Sequence, residues 1–447
     1  MRKAILTPPY RLTMSSRSII LLIALLGSML LAQDIGFSRT ASLSRVGGCA
    51  RQMTLLNTGN HTLLELTANF ANDARERAFW DIPIRMDLSQ HSGIRLRLYA
   101  QNTPCVKEAQ ILIKVDGSWY KAQLPLTQNA EWTECFISKA DFAPEESTGS
   151  WKQAELLRIC LWRKEPGLVS LYLQKFCLEQ PNVSLAIIHG NHANEKTRTL
   201  SREHARGMAH ALALQGIFPA IMEEQDLSQM VLRPYTMALI PSPESLPSSQ
   251  FGAIISFLRK GGALGLCHSV PPPIASQMKV PVGNVREIKD IQISGMLPVS
   301  QLMPGTHTCP QNAQAIVTME RIPENLRVAA WWLTTDGTPT RYPALLFNSN
   351  GFWMTHPYQN QAPYEGGALL RDAILPFMPD IRRKAAETSI HHLQEAIPFL
   401  LINKPSPIQQ KANTLFSRSR EAFSRKDYPQ AITLVQQTLQ LLYTREE

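Results

Sequence analysis

The sequence predicts a multidomain protein in which a β-sandwich is followed by an α/β parallel sheet and a C-terminal helical hairpin. Residues 45–181 contain short strands separated by turns, without a long helical period, which is typical of a sandwich. Residues 183–380 alternate short buried strands with amphipathic helices, which is typical of a parallel sheet. Residues 381–447 carry apolar side chains at helical spacing on both sides of a proline-containing hinge.

Residues 1–32 have the pattern of a secretory signal peptide. Basic residues precede an apolar run from residue 19 to residue 32, which is too short to span a bilayer comfortably. An uncleaved N-terminal anchor is the alternative interpretation. In both cases we expect the rest of the chain to be exported, to the periplasm or the extracellular space, with no membrane contact beyond this segment.

Charge and cysteine spacing exclude several classes of partner. The whole chain carries +9, and its first 32 residues hold four basic and no acidic side chains, so the remainder carries a mild +5. No basic stripe with interleaved aromatic residues indicates a nucleic-acid partner. The seven cysteines show no C-x-x-C spacing, so no zinc ribbon is expected, and their odd number leaves at least one thiol free. We predict no metal site and no cofactor.

Several strands of the first domain can be placed from local patterns. Residues 94–99 alternate apolar and polar side chains, as a half-buried strand does. Residues 111–115 and 119–124 flank the turn pair Asp116-Gly117, which predicts a β-hairpin.

Four segments of this domain resemble a known family. A strand begins at Trp132, a Lys-x-x-Phe segment occupies residues 139–142, and a Gly-x-Trp segment with Trp151 leads to a strand ending at Trp162. This order resembles the galactose-binding-like jelly-roll modules of bacterial carbohydrate-active proteins. The resemblance implies a jelly roll for residues 45–181 and carbohydrate as the partner.

Carbohydrate recognition in such a domain needs exposed aromatic rings, because flat rings pack on the apolar faces of sugars. Trp119 and Tyr120 adjoin the predicted hairpin turn and are our candidate ligand-binding residues. Neighbouring strand residues point to opposite faces, so at most one of the pair faces a ligand. We expect Trp132, Trp151 and Trp162 to lie in the core, since tryptophan is highly buried on average.

The second domain begins with a buried strand near residue 183, and a helix with its apolar face towards the core ends at Gly216. Residues 248–260 predict another helix, which ends at Gly261-Gly262. Strands are predicted over 218–222, 236–240 and 263–267. An acidic loop at 223–226 follows one strand, and Pro241 ends the next.

This order resembles the class I glutamine amidotransferase-like fold, a flavodoxin-like sheet. The closer resemblance is to its non-catalytic branch, typified by the trimerisation domain of some β-galactosidases. It implies a possible homo-oligomer through the α/β domain. The same succession of domains resembles the front part of large bacterial glycosyl-hydrolase-like proteins.

Cys267 and His356 match two of the three catalytic positions of true amidotransferases. Such enzymes place the cysteine at a tight turn before a helix, whose N-terminus activates the thiolate. Here Ser269 replaces the turn glycine, three prolines from residue 271 predict that the helix is missing, and Tyr358 stands where a carboxylate is needed. We therefore expect Cys267 to be a buried residue at a strand end, with Cys/His hydrolysis as the alternative.

A second polar segment follows the first strand of this domain. His189 and His192 lie where open α/β sheets bind ligands, at the carboxyl end of a strand. Together with Glu195 their spacing fits no standard zinc motif, so we interpret the segment as a polar crevice that holds either a small ligand or nothing.

The C-terminal segment 381–447 is predicted to contain a long helix and then two helices that form a hairpin. Residues 412–442 resemble a single tetratricopeptide-like repeat. One repeat cannot bury its own apolar face, so we expect it to pack on another part of this chain or on a partner.

The leading hypothesis is an exported, non-catalytic protein that binds glycan through the sandwich and assembles or holds a ligand through the α/β domain. One alternative is a hydrolase, acting through Cys267 and His356 or as the accessory part of a glycoside hydrolase whose barrel is absent. Another is a scaffold that docks through the C-terminal helices.

Overall fold

The structure is a computed structural model that describes residues 32–34, 45–58, 61–71, 75–126, 131–146, 148–190, 194–287, 293–303, 306–313 and 315–443. The predicted signal segment lies outside these residues, apart from Ala32. None of the helices in the described part of the chain combines the length and apolarity that crossing a membrane requires.

Two antiparallel sheets form the first domain. Their strands, in chain order, are β1 Ala32–Asp34, β2 Arg45–Gly48, β3 Thr54–Thr58, β4 His61–Asn69, β5 Arg77–Met86, β6 Gly93–Gln101, β7 Val106–Val115, β8 Ser118–Gln123, β9 Thr133–Ser138, β10 Ala143–Pro144, β11 Ala154–Arg163 and β12 Leu168–Glu179. The front sheet has the order β3-β4-β12-β6-β9, with β1 also paired to β12, and the back sheet has the order β10-β8-β7-β11-β5-β2.

Alternating side chains of both sheets build the sandwich core. In β6, Ile94, Leu96 and Leu98 point inward and are almost completely buried, and each such side chain contributes about 1.5–3 kcal/mol on burial. The predicted hairpin is confirmed, because β7 pairs with β8 from Val115 opposite Ser118. Both turn residues between them have positive φ, which is the requirement of a tight hairpin turn.

The second domain contains a nine-stranded sheet, a two-stranded sheet and helices. Its elements are β13 Leu185–His189, α1 Glu195–Leu214, β14 Ala220–Glu223, α2 Gln229–Leu232, β15 Met237–Ile240, α3 Ser248–Arg259, β16 Ala263–Cys267, α4 Pro272–Met278, β17 Asn284–Glu287, β18 Ile293–Pro298, β19 Cys309–Ala313, β20 Ala315–Thr318, β21 Arg327–Thr334, β22 Pro339–Asn348, β23 Gly351–Met354 and α5 Pro363–Ile374.

The large sheet is only half parallel. Its order is β14-β13-β15-β16-β23-β22-β21-β18-β19, and the first five strands of that order pair in parallel, as the sequence predicts. From β23 onward the pairing is antiparallel. The expectation of a parallel sheet is corrected for this half, which residues 293–354 build mostly from consecutive strands joined by short connections.

Three helices close the described chain, namely α6 Ile381–Leu400, α7 Ser406–Ser424 and α8 Tyr428–Tyr443. The last two form the predicted hairpin, and its apolar face packs on α6 in one cluster with Trp132 of the sandwich. The Tyr443 hydroxyl also accepts from the Glu134 amide at 3.2 Å. The apolar face of the single repeat is therefore covered within this chain.

None of the seven cysteines forms a disulfide in this structure, and six of them are buried.

Candidate functional site

The two aromatic residues predicted on β8 lie on opposite faces of the back sheet. Tyr120 is 0% exposed, and its hydroxyl accepts from the Gly149 amide at 3.0 Å. Its ring packs on Trp151 with centroids 4.8 Å apart. Tyr120 therefore offers no face to a ligand, and Trp119, which is half-buried on the outer surface, is the remaining candidate of the pair.

Trp119 has a cation against its ring. The Arg158 guanidinium lies 4.6 Å from the Trp119 ring and 4.3 Å from the Phe79 ring. The same guanidinium donates two hydrogen bonds to Asp81, at 2.6 and 2.9 Å. Cation–π contacts of this kind stabilise the sheet surface, and they occupy one face of the Trp119 ring.

A row of three aromatic rings crosses the outer face of the front sheet. Tyr99 in β6 stands beside Tyr172 in β12, with centroids 6.0 Å apart, and beside Trp132, with centroids 5.6 Å apart. Tyr99 and Tyr172 are direct partners in the strand register. All three rings are half-buried. We name Tyr99, Trp132 and Tyr172 the aromatic row.

Polar side chains border the aromatic row. Glu65 is opposite Tyr172 on β4. Two residues further along the same two strands, Thr67 is opposite Ser170, and their hydroxyls are 3.1 Å apart. Gln101 extends beyond Tyr99 at the exposed end of β6. The row therefore combines flat apolar faces with hydrogen-bonding groups on one side.

The other side of the row is closed by α6. Phe399 lies edge-on to Trp132 with centroids 5.4 Å apart, and the Arg97 guanidinium is 5.1 Å from the Phe399 ring. Arg97 also donates to Glu134 at 2.6 and 3.0 Å. Helix α6 thus covers Arg97 and leaves the Tyr99–Tyr172 end of the row as its open part.

The prediction that all three tryptophans are core residues is right for Trp151 only. Trp151 is almost completely buried, whereas Trp132 and Trp162 are half-buried on outer faces. The alternation in residues 94–99 predicts that Tyr99 lies on the outer face of β6. It does not predict Tyr172 as a neighbour, because that contact forms only when β6 pairs with the distant strand β12.

The sandwich and the α/β sheet meet through buried charges. Lys139 is 3% exposed, and its ammonium donates to the backbone oxygens of Ser89 at 2.8 Å and Ile221 at 2.9 Å. Glu223 is also 3% exposed, and its carboxylate accepts from the Trp151 indole at 2.9 Å. Burial lowers the pKa of Lys139 and raises the pKa of Glu223, while the attraction between them opposes both shifts.

The segments of the sandwich and of the α/β sheet that carry these buried charges therefore form the junction between the two domains. The Lys139 ammonium also lies 4.9 Å from the Trp151 ring, and the Ser150 hydroxyl donates to Asp226 at 2.9 Å. The Lys-x-x-Phe and Gly-x-Trp segments thus contact the acidic loop 223–226. Their role in this structure is to fix the two domains to each other.

His189 lies at this junction, and His192 lies outside the described residues. His189 is almost completely buried at the end of β13, and its Nδ1 finds no hydrogen-bond partner among the described residues. Burial, with Lys139 and Arg202 nearby, lowers the pKa of His189 to about 3. His189 is a neutral side chain under the domain contact, and it does not line an open crevice.

Cys267 and His356 lie near the carboxyl edge of the parallel strands. Cys267 is 0% exposed, and burial raises the pKa of its thiol well above the usual range. The expected absence of a following helix is wrong, because α4 begins at Pro272. That helix does not activate the thiol, since Cys267 ends β16 five residues before the helix begins. The geometry therefore gives Cys267 no accessible thiolate.

The turn after β16 is formed by His268, which is half-buried. It has φ 59°, a left-handed conformation that non-glycine residues rarely adopt. His268 and His356 line a cavity of about 510 Å³ together with Asn312, Gln359 and Gln361. Among the described residues, no three histidine, cysteine or acidic side chains are grouped to hold a metal ion.

Buried neutral histidines make the folding stability of this protein depend on pH. His392 in α6 is largely buried beside Arg95 and Lys175, with its side chain 13% exposed, and burial first, then these cations, lower its pKa well below 6.5. In the unfolded chain the same imidazole takes up a proton near pH 6.5. The folded state therefore loses stability as pH falls below about 6.5, by up to about 1.4 kcal/mol per pH unit for this one group.

His392→Gln removes this acid dependence. We expect the wild type to lose about 2 kcal/mol more unfolding free energy than the variant between pH 7.5 and pH 5.0, measured by urea denaturation at both values. His391→Gln, which changes the exposed neighbour, is the control. Parallel losses for wild type and His392→Gln would show that His392 is not held neutral.

The fold is that of a multidomain protein that joins a β-sandwich to a mixed α/β sheet and a C-terminal helical hairpin. No family model and no curated protein matches the chain. Among solved structures, it is similar to the β-galactosidase of Rahnella sp. R3, at 16% identity and a TM-score of 0.33, over 44% of this chain and 32% of that one.

Two further solved structures are similar to part of this chain. A family 11 carbohydrate-binding module of Clostridium thermocellum matches at 11% identity and a TM-score of 0.24, over 31% of this chain and 86% of that one. A ThuA-like protein from Bacteroides uniformis matches at 11% identity and a TM-score of 0.33, over 44% of this chain and 94% of that one. This chain spans about a third of the β-galactosidase. These likenesses concern fold alone.

Proposed function

We propose that this protein binds a glycan on the aromatic row and does not cleave it. The observation that supports the proposal is the alignment of Tyr99, Tyr172 and Trp132 across three neighbouring strands. Adjacent rings lie 5.6 and 6.0 Å apart and are tilted by 43° and 54° to each other. Their apolar faces are of the kind that packs against the C–H faces of sugar rings.

The polar groups beside the row supply orientation. Glu65 and Gln101 flank the two tyrosines, and the Thr67 and Ser170 hydroxyls lie two residues further along β4 and β12. Carboxylate, amide and hydroxyl groups at the edge of an apolar platform select among sugar hydroxyl patterns. The glycan approaches from the Tyr172 side, because α6 and Phe399 close the Trp132 side.

The carboxylates beside the row favour binding over catalysis. Glu134 is held by Arg97 at 2.6 Å and by Arg95 at 3.2 Å, so it is not free to transfer a proton. Glycoside cleavage uses a pair of carboxyl groups across the scissile bond. With Glu134 engaged in ion pairs, Glu65 alone does not supply such a pair.

The proposal predicts selective binding on a glycan array that depends on the two tyrosines. For the best-binding neutral glycan, we expect Tyr99→Ala and Tyr172→Ala each to weaken binding about tenfold, the loss of one good stacking contact. Tyr99→Phe keeps the ring and should retain most of the affinity. Isothermal titration on the full chain measures each constant.

Trp119→Ala is the matched control on the other sheet, and we expect it to leave binding unchanged. Binding that survives Tyr99→Ala and Tyr172→Ala but is lost in Trp119→Ala would move the site to β8. A wild-type protein that retains no glycan on the array would refute the proposal.

A further inference from the structure

Helix α1 carries a stripe of basic side chains on one face. Arg198, Arg202, Arg206 and His210 follow one another at intervals of four residues. Like charges at this spacing destabilise a helix by about 0.2–0.5 kcal/mol per pair. The stripe therefore destabilises α1. Residues that lower local stability in this way are typical of ligand-binding sites.

Part of the stripe forms the wall of a groove between the two domains. Arg202, Arg206 and His210 line a cavity of about 410 Å³, and Gln110, Lys121 and Gln123 of the sandwich form the opposite wall. At Phe136 and His210 the groove continues into a second cavity of about 530 Å³, which the C-terminal helices also line. The groove is large enough for a ligand of several rings.

The acidic residues of the groove do not balance its cations. Asp141 is engaged by His210 at 2.7 Å and by Arg206 at 3.9 Å. Glu203 is exposed at the rim. Lys121 faces Glu145 at 3.7 Å across an exposed pair, which is worth little in water.

Arg202 has unused hydrogen-bonding capacity. It is half-buried, and within the described part of the chain it makes no hydrogen bond or ion pair of its own. The acidic side chain that attracts it most is Glu223, which already accepts from Trp151 and Gln225, and Glu203 attracts it more weakly. A guanidinium carries five N–H donors in a planar fork, and that fork matches the oxygens of a carboxylate, sulfate or phosphate.

We propose that this groove binds an oxyanion carried on a polar ligand, such as the carboxylate of an acidic saccharide, with Arg202 as its direct partner. Lys121 adds a second positive charge from the opposite wall, where the Gln110 and Gln123 amides are held by the Glu108 carboxylate. The site lies apart from the aromatic row and takes a different class of ligand, so the two proposals stand independently.

The test compares a galacturonate trimer with the neutral galactose trimer by isothermal titration on the full chain. We expect the acidic trimer to bind at least tenfold more tightly, and to weaken as sodium chloride is raised, because exposed charges are screened by salt. Arg202→Gln should weaken the acidic trimer about tenfold. Arg198→Gln, on the same stripe but outside the groove lining, is the matched control and should have little effect.

Thermal unfolding without ligand separates a binding role from a structural one. Arg202→Gln should unfold at the same temperature as wild type or higher, since it relieves repulsion on α1. If inorganic sulfate raises the unfolding temperature of the wild type but not of Arg202→Gln, the result would support an oxyanion site at Arg202 that also accepts a free anion. Equal affinity for both trimers, or equal losses of affinity in Arg202→Gln and Arg198→Gln, would overturn the proposal. Tyr99→Ala should leave binding of the acidic trimer unchanged.

Discussion

Lys139→Met is expected to destabilise the protein by about 3–5 kcal/mol, the cost of leaving a buried charge without its partner. Lys139 is held at the centre of the junction by the backbone of both domains, at 2.8 Å from Ser89 and 2.9 Å from Ile221. Without it, Glu223 and Asp226 lose the cation that their burial requires. The loss should be measured as the change in unfolding free energy in urea.

The loss of stability caused by Lys139→Met depends on pH, because the Glu223 carboxylate becomes neutral when it takes up a proton. Burial already raises the pKa of Glu223 above that of an unfolded glutamate. A carboxyl with a raised folded-state pKa destabilises the fold as pH rises past its unfolded value. The Lys139→Met defect should therefore be smaller at pH 6 than at pH 8.

Two further variants identify the cause of this defect. Lys139→Met combined with Glu223→Gln should recover part of the lost stability, because the uncompensated charge is gone. Lys121→Met removes an exposed lysine whose partner is 3.7 Å away, and we expect it to cost at most about 1 kcal/mol. A Lys139→Met protein as stable as Lys121→Met would contradict the account of the junction.

Arg95→Met should cause a loss of similar size, about 3–5 kcal/mol, at the contact between the sandwich and α6. Arg95 is 3% exposed and donates to Glu179, which is 1% exposed, at 2.7 Å. It also contacts Glu134 at 3.2 Å and Glu395 of α6 at 3.6 Å. Removing it leaves the Glu179 carboxylate buried, with His392 of α6 at 3.8 Å and the weaker attraction of Lys175 to compensate its charge.

Hydrogen exchange locates the Arg95→Met effect. Amides of α6 should exchange faster in the variant, since Arg95 and Lys175 both bind Glu395. Arg158→Met is the control, because Arg158 binds Asp81 on the partly exposed back sheet and its loss should cost about 1 kcal/mol. If α6 keeps its wild-type protection in Arg95→Met, the helix is held by its apolar contacts and not by this ion pair.

Local patterns were sufficient for much of the fold. The turn pair Asp116-Gly117 fixed the β7–β8 hairpin, and apolar spacing in residues 248–260 located α3. The antiparallel half of the large sheet was missed, since strands over 293–313 are short and lack strong alternation. Helix α4 was missed because three prolines were interpreted as a break, although proline is well tolerated in the first turn of a helix.

The candidate site was harder to predict, because it depends on contacts between distant parts of the chain. Tyr99 and Tyr172 are 73 positions apart and become neighbours only when β6 pairs with β12. Nothing local distinguishes Trp132 at a sheet surface from Trp151 in the core. The surroundings of Arg202 depend on which acidic residues the two domains bring near it, and the stripe on α1 does not reveal them.

The most direct measurement is a crystal structure of the full chain with the neutral glycan that the array selects. The account predicts sugar rings stacked on Tyr99 and Tyr172, with hydroxyl groups bonded to Glu65 or Gln101, and the glycan ending against Phe399. Density for the glycan on Trp119, or only in the groove beside α1, would contradict it.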